Sequence, residues 1–208
     1  MVPQTATSSK PQQGMTVEQK IQKLQELYAD ASEIGKTALE NGIPALRREF
    51  AAGTGVVQTA GRAGLRQGKV SEYTVVVPFV KGGAKRLRGL LQMLEGNFQL
   101  ADAVGTVHDM RFVFLDNDTK LLFATAYDGD WDPYIDDFAS KIPDALDLLF
   151  CDSEGWPGIR SPKVKQFLVD HQISAEAWYV NSPNLTAAEA KRLQKVGHAV
   201  EELLDKIG

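Results

Sequence analysis

VGTVHDMRFVFLDNDTKLLFATAYDGDWDPYIDDF, residues 104–138, decides how this chain folds. Residues 106–115 are mostly β-branched, aromatic or aliphatic; Asp116, Asn117 and Asp118 supply a polar turn, and residues 121–127 return as a second strand. Alternation puts Thr106, His108, Met110, Phe112 and Phe114 on one face of the first strand. Val107, Asp109, Arg111, Val113 and Leu115 fall on the other. His108, Asp109 and Arg111 therefore sit as ionisable groups in an otherwise apolar strand pair, where desolvation is costly unless each finds a partner. The second strand closes on Tyr127, Asp128, Gly129, Asp130 and Trp131, which adds carboxylates at the strand end. A chemical site is expected here before anywhere else.

Outward from the hairpin, residues 73–80 form a β-branched strand interrupted at Pro78. Gly82 and Gly83 turn the chain into a helix over residues 84–94, with Leu87, Leu90, Leu91 and Leu94 facing inward and Lys81, Lys85, Arg86 and Arg88 facing out. Free N–H groups at that helix start favour anions, so the basic set reads either as a phosphate or carboxylate site or as a solvated face. Past the hairpin, Asp132 and Pro133 open a helix that breaks at Pro143, residues 151–162 form a loop, and 163–171 form a short helix. Ala177, Trp178, Tyr179 and Val180 read as a last strand. Thr186 and Glu189 cap a final amphipathic helix ending at Ile207.

Toward the N-terminus, residues 1–14 are polar and rich in Pro, Gln and Ser, and read as a disordered tail. Residues 15–68 read as a helical extension followed by a glycine-rich loop. A capping box at Thr16 and Gln19 starts its first helix, Asn41 and Gly42 stop it, and Pro44 opens a second over residues 45–50. The loop over residues 51–68 lacks phosphate-loop spacing, yet its Arg62 and Arg66 could reach an anionic ligand.

With 208 residues the chain is long enough for one well-cored domain, and the net charge of −4 argues against nucleic acid as the main partner. No apolar run approaches the roughly 18 residues that would span a bilayer, so no membrane partner is expected. The lone Cys151 excludes an intramolecular disulfide and fits a reducing cytoplasm.

The order from residue 73 is strand, helix, strand, strand, helix, strand, closing helix. That is an α+β plan, the ferredoxin-like split βαβ antiparallel sheet with helices on one face, here assigned to residues 69–208. Phe, Met, Tyr and Trp on its strands would leave the bare face in need of cover, which a second copy supplies in a dimeric α+β barrel. A homodimer is therefore expected.

The pattern T-x-H-x-x-R, then LLF, then Tyr127-Asp128-Gly129, then Tyr134-Ile135-Asp136-Asp137-Phe138 resembles the signature of a little-characterised bacterial ferredoxin-like group. Glu154-Gly155-Trp156-Pro157 and residues 171–186 extend the resemblance. That group is similar in fold to the dye-decolourising peroxidases and other dimeric α+β barrels. The resemblance implies an oxidoreductase-like protein that binds haem, or a small aromatic or oxidisable ligand, in a barrel pocket. Their distal GxxDG motif falls on Thr125-Ala126-Tyr127-Asp128-Gly129, with Thr125 where the first Gly stands.

The candidate catalytic residues are His108, Arg111 and Asp128. His108 reads as an axial haem ligand, a general base or a hydrogen-bonded core residue, and Arg111 with Asp128 as a distal pair or a structural ion pair. His171 is a second candidate iron ligand or a helix C-cap. Arg62, Arg66, Tyr127, Trp131, Trp156 and Trp178 are candidate ligand contacts or packing residues. Two other readings stand beside these: a cofactor-free ligand-binding or dimerisation protein, and a cofactor-independent enzyme with a histidine base. Because residues 1–14 lack apolar periodicity, limited proteolysis is expected to trim them without moving the melting temperature. A fall of several degrees would show that the segment is docked.

Overall fold

The computed structural model describes residues 14–53, 57–95 and 98–207. The chain divides into two compact units, Met1–Gly55 and Val56–Gly208. The polar tail expected over residues 1–14 lies, apart from Gly14, outside the described residues.

In the first unit, α1 (Val17–Leu27) begins with the expected capping box: Gln19 N–H donates to Thr16 Oγ1 and Thr16 N–H to Gln19 Oε1. The break then comes earlier than expected. Ser32 accepts from Gly35 N–H and starts α2 (Glu33–Ala52), which runs straight through Asn41, Gly42 and Pro44. Tertiary contact outweighs local propensity here, because Arg47 pairs with Glu18 and Lys20 lies 5.2 Å from the Phe50 ring centre, both beyond the proline.

The second unit is α+β. Five antiparallel strands form an open sheet in the order β1-β2-β3-β5-β4. They are β1 (Gln58–Thr59), β2 (Leu65–Gln67), β3 (Val70–Pro78), β4 (Val107–Leu115) and β5 (Lys120–Asp128). The glycine-rich segment expected to be a loop thus supplies two strands and belongs to the sheet. Gly64 makes this possible: its φ is +82°, and a Cβ there would lie 2.0 Å from the Glu72 carbonyl oxygen.

The β4–β5 turn has Asp116, Asn117 and Asp118 all at positive φ, the region their short polar side chains tolerate best. Arg88 holds Asp118 through two 2.7 Å bonds and Lys120 holds Asp116 at 2.7 Å. At the other end of β4 the register slips between Val107 and Asp109, leaving His108 outside the ladder. This bulge corrects the expected two-face sorting: Val107, and not His108, packs on the core with Met110, Phe112 and Phe114.

Along the remaining strands Tyr73, Val75 and Val77 of β3 and Leu121, Phe123 and Tyr127 of β5 point to the same core. Helices α3 (Gly83–Met93), α5 (Trp131–Lys141), α6 (Pro143–Phe150) and α7 (Val164–Asp170) contribute Leu87, Trp131, Tyr134, Phe138, Phe150 and Leu168 to it. A short α4 (Leu100–Val104) precedes β4, and α8 (Ala187–Ile207) closes the unit. The strands' aromatic and methionine side chains therefore face the helices. Alternation and register leave the row Val76, Leu122, Val113 and the row Thr74, Ala124, Arg111 on the open face, so the aromatic bare face expected to demand a barrel partner is not present.

Ala177–Val180 is not a strand, against expectation. The edge it would occupy is already taken. β2 pairs with Val70, Ser71 and Glu72; His171 and Ile173 bond to Val76 and Thr74; and Asp152 and Glu154 bond to Val80 and Pro78. Gly64→Ala, which puts a methyl group into the β2–β3 contact and forces a positive φ on a residue with a side chain, should cost on the order of 3 kcal/mol in urea denaturation. A loss below about 0.5 kcal/mol would show that the hairpin is not held against β3 as described.

Candidate functional site

The polar residues singled out from the sequence separate into distinct groups. His108, pushed out of the ladder by the bulge, reaches Asp128 at the end of β5: Nε2 and Oδ1 lie 2.7 Å apart. A carboxylate only accepts, so Nε2 carries the proton of this bond. The second oxygen of Asp128 accepts from Ala187 N–H, the first residue of α8, at 2.9 Å. One carboxylate thus ties a strand bulge to a helix N-terminus, where the helix dipole favours negative charge. The same helix start carries a capping box between Thr186 and Glu189, and Lys69 donates to both Glu189 oxygens at 3.1 Å. Donation from Thr186, backbone first and hydroxyl second, then Lys69, pulls the Glu189 carboxyl down to about 2.

Arg111 stands apart from this group. It is 64% exposed and pairs with Asp109 at 3.2 Å on its own strand; it makes no ion pair with Asp128. The sequence-based cluster of His108, Arg111 and Asp128 is therefore a pair plus an outlier. The bulge displaces His108 toward Asp128, whereas the β4–β5 register sets Arg111 opposite Ala124, four residues along the strand from Asp128.

Arg62 and Arg66 both pair with acids at the start of α5. Arg62 binds Asp132, which Lys165 also reaches at 3.1 Å, and Arg66 binds Asp130 at 2.5 Å. The Arg62 bond, more than anything else, lowers the Asp132 carboxyl to about 2. Arg62 also lies 5.4 Å from the Trp131 ring centre. Both arginines thus have acidic partners. Arg86 and Arg88 are likewise held, by Asp152 and Asp118.

Three of the four aromatic candidates, Tyr127, Trp131 and Trp156, pack against other rings. Trp131 and Tyr127 are fully buried, Tyr127 stacking on Tyr134 at 3.8 Å and Trp131 tilting against Tyr73 at 5.8 Å. Burial pushes the Tyr127 hydroxyl well above its ordinary range. Tyr127 Oη, Trp131 Nε1 and Arg66 Nε are buried without a partner among the described residues. Trp156 stacks on Phe150 and donates Nε1–H to Asp147 at 2.8 Å. Trp178 is half-buried, and its carbonyl accepts from Gln67. His171 Nδ1–H donates to the Phe167 carbonyl at 2.8 Å, the C-cap role of its position after α7.

What the sequence reading missed is a cleft of about 100 Å³ between helices and sheet. Its lining is wholly apolar: Leu90 and Leu94 follow one another along α3 and just past it, Met110 and Phe112 come from β4, and Phe123 and Leu146 from β5 and α6. Leu100 and Leu148, both more than half exposed, stand at its mouth. Leu87, Leu90, Leu91 and Leu94 were visible as an inward stripe, but only the fold shows that the last of them stop short of full packing.

The cleft does not fit a haem. The cleft is smaller than the roughly 300 Å³ at which pockets for drug-sized ligands begin, and neither His108 nor His171 lines it. His108 Nε2 is engaged by Asp128, and no group of three or more acidic, His or Cys side chains suited to a metal ion occurs among the described residues. Nor is any described helix long and apolar enough to cross a membrane. No family model, curated protein or solved structure matches the chain.

Asp128→Ala removes the His108 partner and the α8 cap together, and should cost about 2 kcal/mol while speeding amide exchange at residues 187–190. Arg111→Leu, at an exposed pair, should stay within about 0.5 kcal/mol of the parent. The reverse ranking by chemical denaturation would overturn this division of roles.

Proposed function

We propose that this chain is a cofactor-free binding protein for a small apolar molecule about the size of one aromatic ring. The observation that supports it is the cleft's unbroken apolar lining, Phe112, Phe123 and Met110 on the sheet side and leucines on the helix side. Cavities of roughly 150 Å³ lined by such residues stay dry and take up benzene, because an apolar guest regains dispersion contacts that an empty site forgoes. A wholly apolar lining selects by shape and size, so the guest class is aromatic or branched hydrocarbon without charge.

The reading rests on a ferredoxin-like plan in which the run β3-β5-β4 supplies three of the four strands and β2 with residues 171–173 fills the place of the fourth. The resemblance over residues 105–138 supports the same plan. A reducing compartment, the cytoplasm, suits the one free thiol, Cys151.

Benzene and indole are the probes. At ten times its dissociation constant, either should stabilise the fold by about 1.4 kcal/mol, seen as a raised melting temperature, and should shift the methyl resonances of Leu90 and Leu146. Ala145→Phe, which fills the cleft from its α6 wall, should abolish both effects. Unmoved melting and methyl signals at saturating probe would sink the proposal.

A further inference from the structure

The structure leaves α8 almost without internal partners: of its residues only Ala187 is buried. Its anchorage is confined to the start, where Asp128 caps Ala187, Lys69 holds Glu189 and Lys191 reaches Asp102 at 2.5 Å. Beyond that, Leu193, Val196, Val200, Leu203, Leu204 and Ile207 are between 48% and 72% exposed. Their spacing places them in one stripe along the helix, and no described residue of the Val56–Gly208 unit covers it.

Three features of the stripe point to one occupant. First, its positions are nearly symmetric about Val200. Leu193 and Ile207 lie seven residues to either side, Val196 and Leu204 four, and Gly197 and Leu203 three. A seam with that symmetry matches an identical helix laid antiparallel across it, because a two-fold axis through Val200 then sets each position against its counterpart.

Second, the charges run against the helix's own dipole. The first half, residues 187–197, carries three cations and one acid; residues 198–207 carry three acids and one cation. A lone helix prefers the opposite arrangement. An antiparallel pair about Val200 overlaps residues 193–207, sets Lys195 against Asp205 and brings Arg192 one turn beyond that acid, whereas parallel pairing opposes like charges. Third, Gly197 weakens the helix at its midpoint, and a Cβ there would meet nothing within 4 Å. In the antiparallel pair it sits opposite Leu203 of the other copy, where the missing side chain leaves room for the leucine.

We infer that α8 is a self-association surface, through which two copies of this chain pair antiparallel about Val200. The pairing does not depend on the open face of the sheet or on the apolar cleft. Light scattering on the full chain should show the mass rising from 22.8 kDa toward twice that value as concentration climbs through the micromolar range. Val200→Asp, at an exposed position, should remain monomeric with an unchanged circular dichroism spectrum. Arg192→Glu with Lys195→Glu, and separately Glu202→Lys with Asp205→Lys, should each weaken self-association at least tenfold, and their equimolar mixture should restore a heterodimer. In a Cys151→Ser background, Leu193→Cys and Ile207→Cys chains should cross-link to each other on air oxidation in preference to themselves.

Four results would overturn the inference. One is a wild-type chain that stays monomeric, including one whose α8 amides are protected because the Met1–Gly55 unit covers the stripe. Another is a Val200→Asp chain that still dimerises, which would move the interface to the sheet. The others are a charge-swapped mixture that fails to associate, and cross-linking of residue 193 chiefly to itself.

Discussion

Nine successive antiparallel pairings between β3 and β5, from Val70 with Asp128 to Pro78 with Lys120, are the constraint on which the rest of this protein depends. Because side chains alternate, that register commits Tyr73, Val75 and Val77 to the same side as Leu121, Phe123 and Tyr127. Slipped by one residue, it would turn the aromatic set to the open face and leave the helices with threonine and alanine to pack on. With the register set, Phe123 meets Phe150 and Tyr127 meets Tyr134, so α5 and α6 have only one way to lie down. β4 then adds to the far edge of β5, and its bulge decides which of its polar residues can reach the strand end.

Polar and apolar sites are kept apart as a result. The ionisable groups cluster at strand ends and helix starts, where Asp128, Asp130, Asp132 and Glu189 each answer a cation, a histidine or a free N–H. Asp132 and Glu189 titrate well below the range of an unfolded carboxylate. Their contribution is present above about pH 4 and is lost as the pH falls toward 2. The cleft lies instead among leucines and phenylalanines, with no charge in its lining to position a reacting group.

Where the sequence could be read, a local rule was sufficient. The Asp116-Asn117-Asp118 turn, the capping boxes at Thr16 and Thr186, and the break at Pro143 each depend on a few neighbouring residues. Features that depend on distant chain were invisible. Gly64 looks like loop chemistry until Glu72 is placed against it, and Pro44 looks like a helix start until Arg47 finds Glu18. Residues 177–180 have the composition of a strand but no free edge to join. Arg111 and Asp128 have compatible alternation, yet the register sets Arg111 opposite Ala124, four residues short of Asp128. The cleft draws on α3, α6, β4 and β5 together, and no window of sequence contains it.

The piecemeal closing of the β3 edge has a consequence for how the protein is made. β2 and β5 flank the strand early, but the groups of Thr74 and Val76 that bond to His171 and Ile173 find those partners only after roughly a hundred further residues have left the ribosome, about 5 to 20 s at usual rates of synthesis. During that interval Tyr-Thr-Val-Val-Val, an uncharged β-prone run, presents an unpaired edge to whatever other nascent chains are nearby. Over that interval the edge is exposed for a time set by translation speed, a kinetic hazard that the final stability of the fold does not reveal.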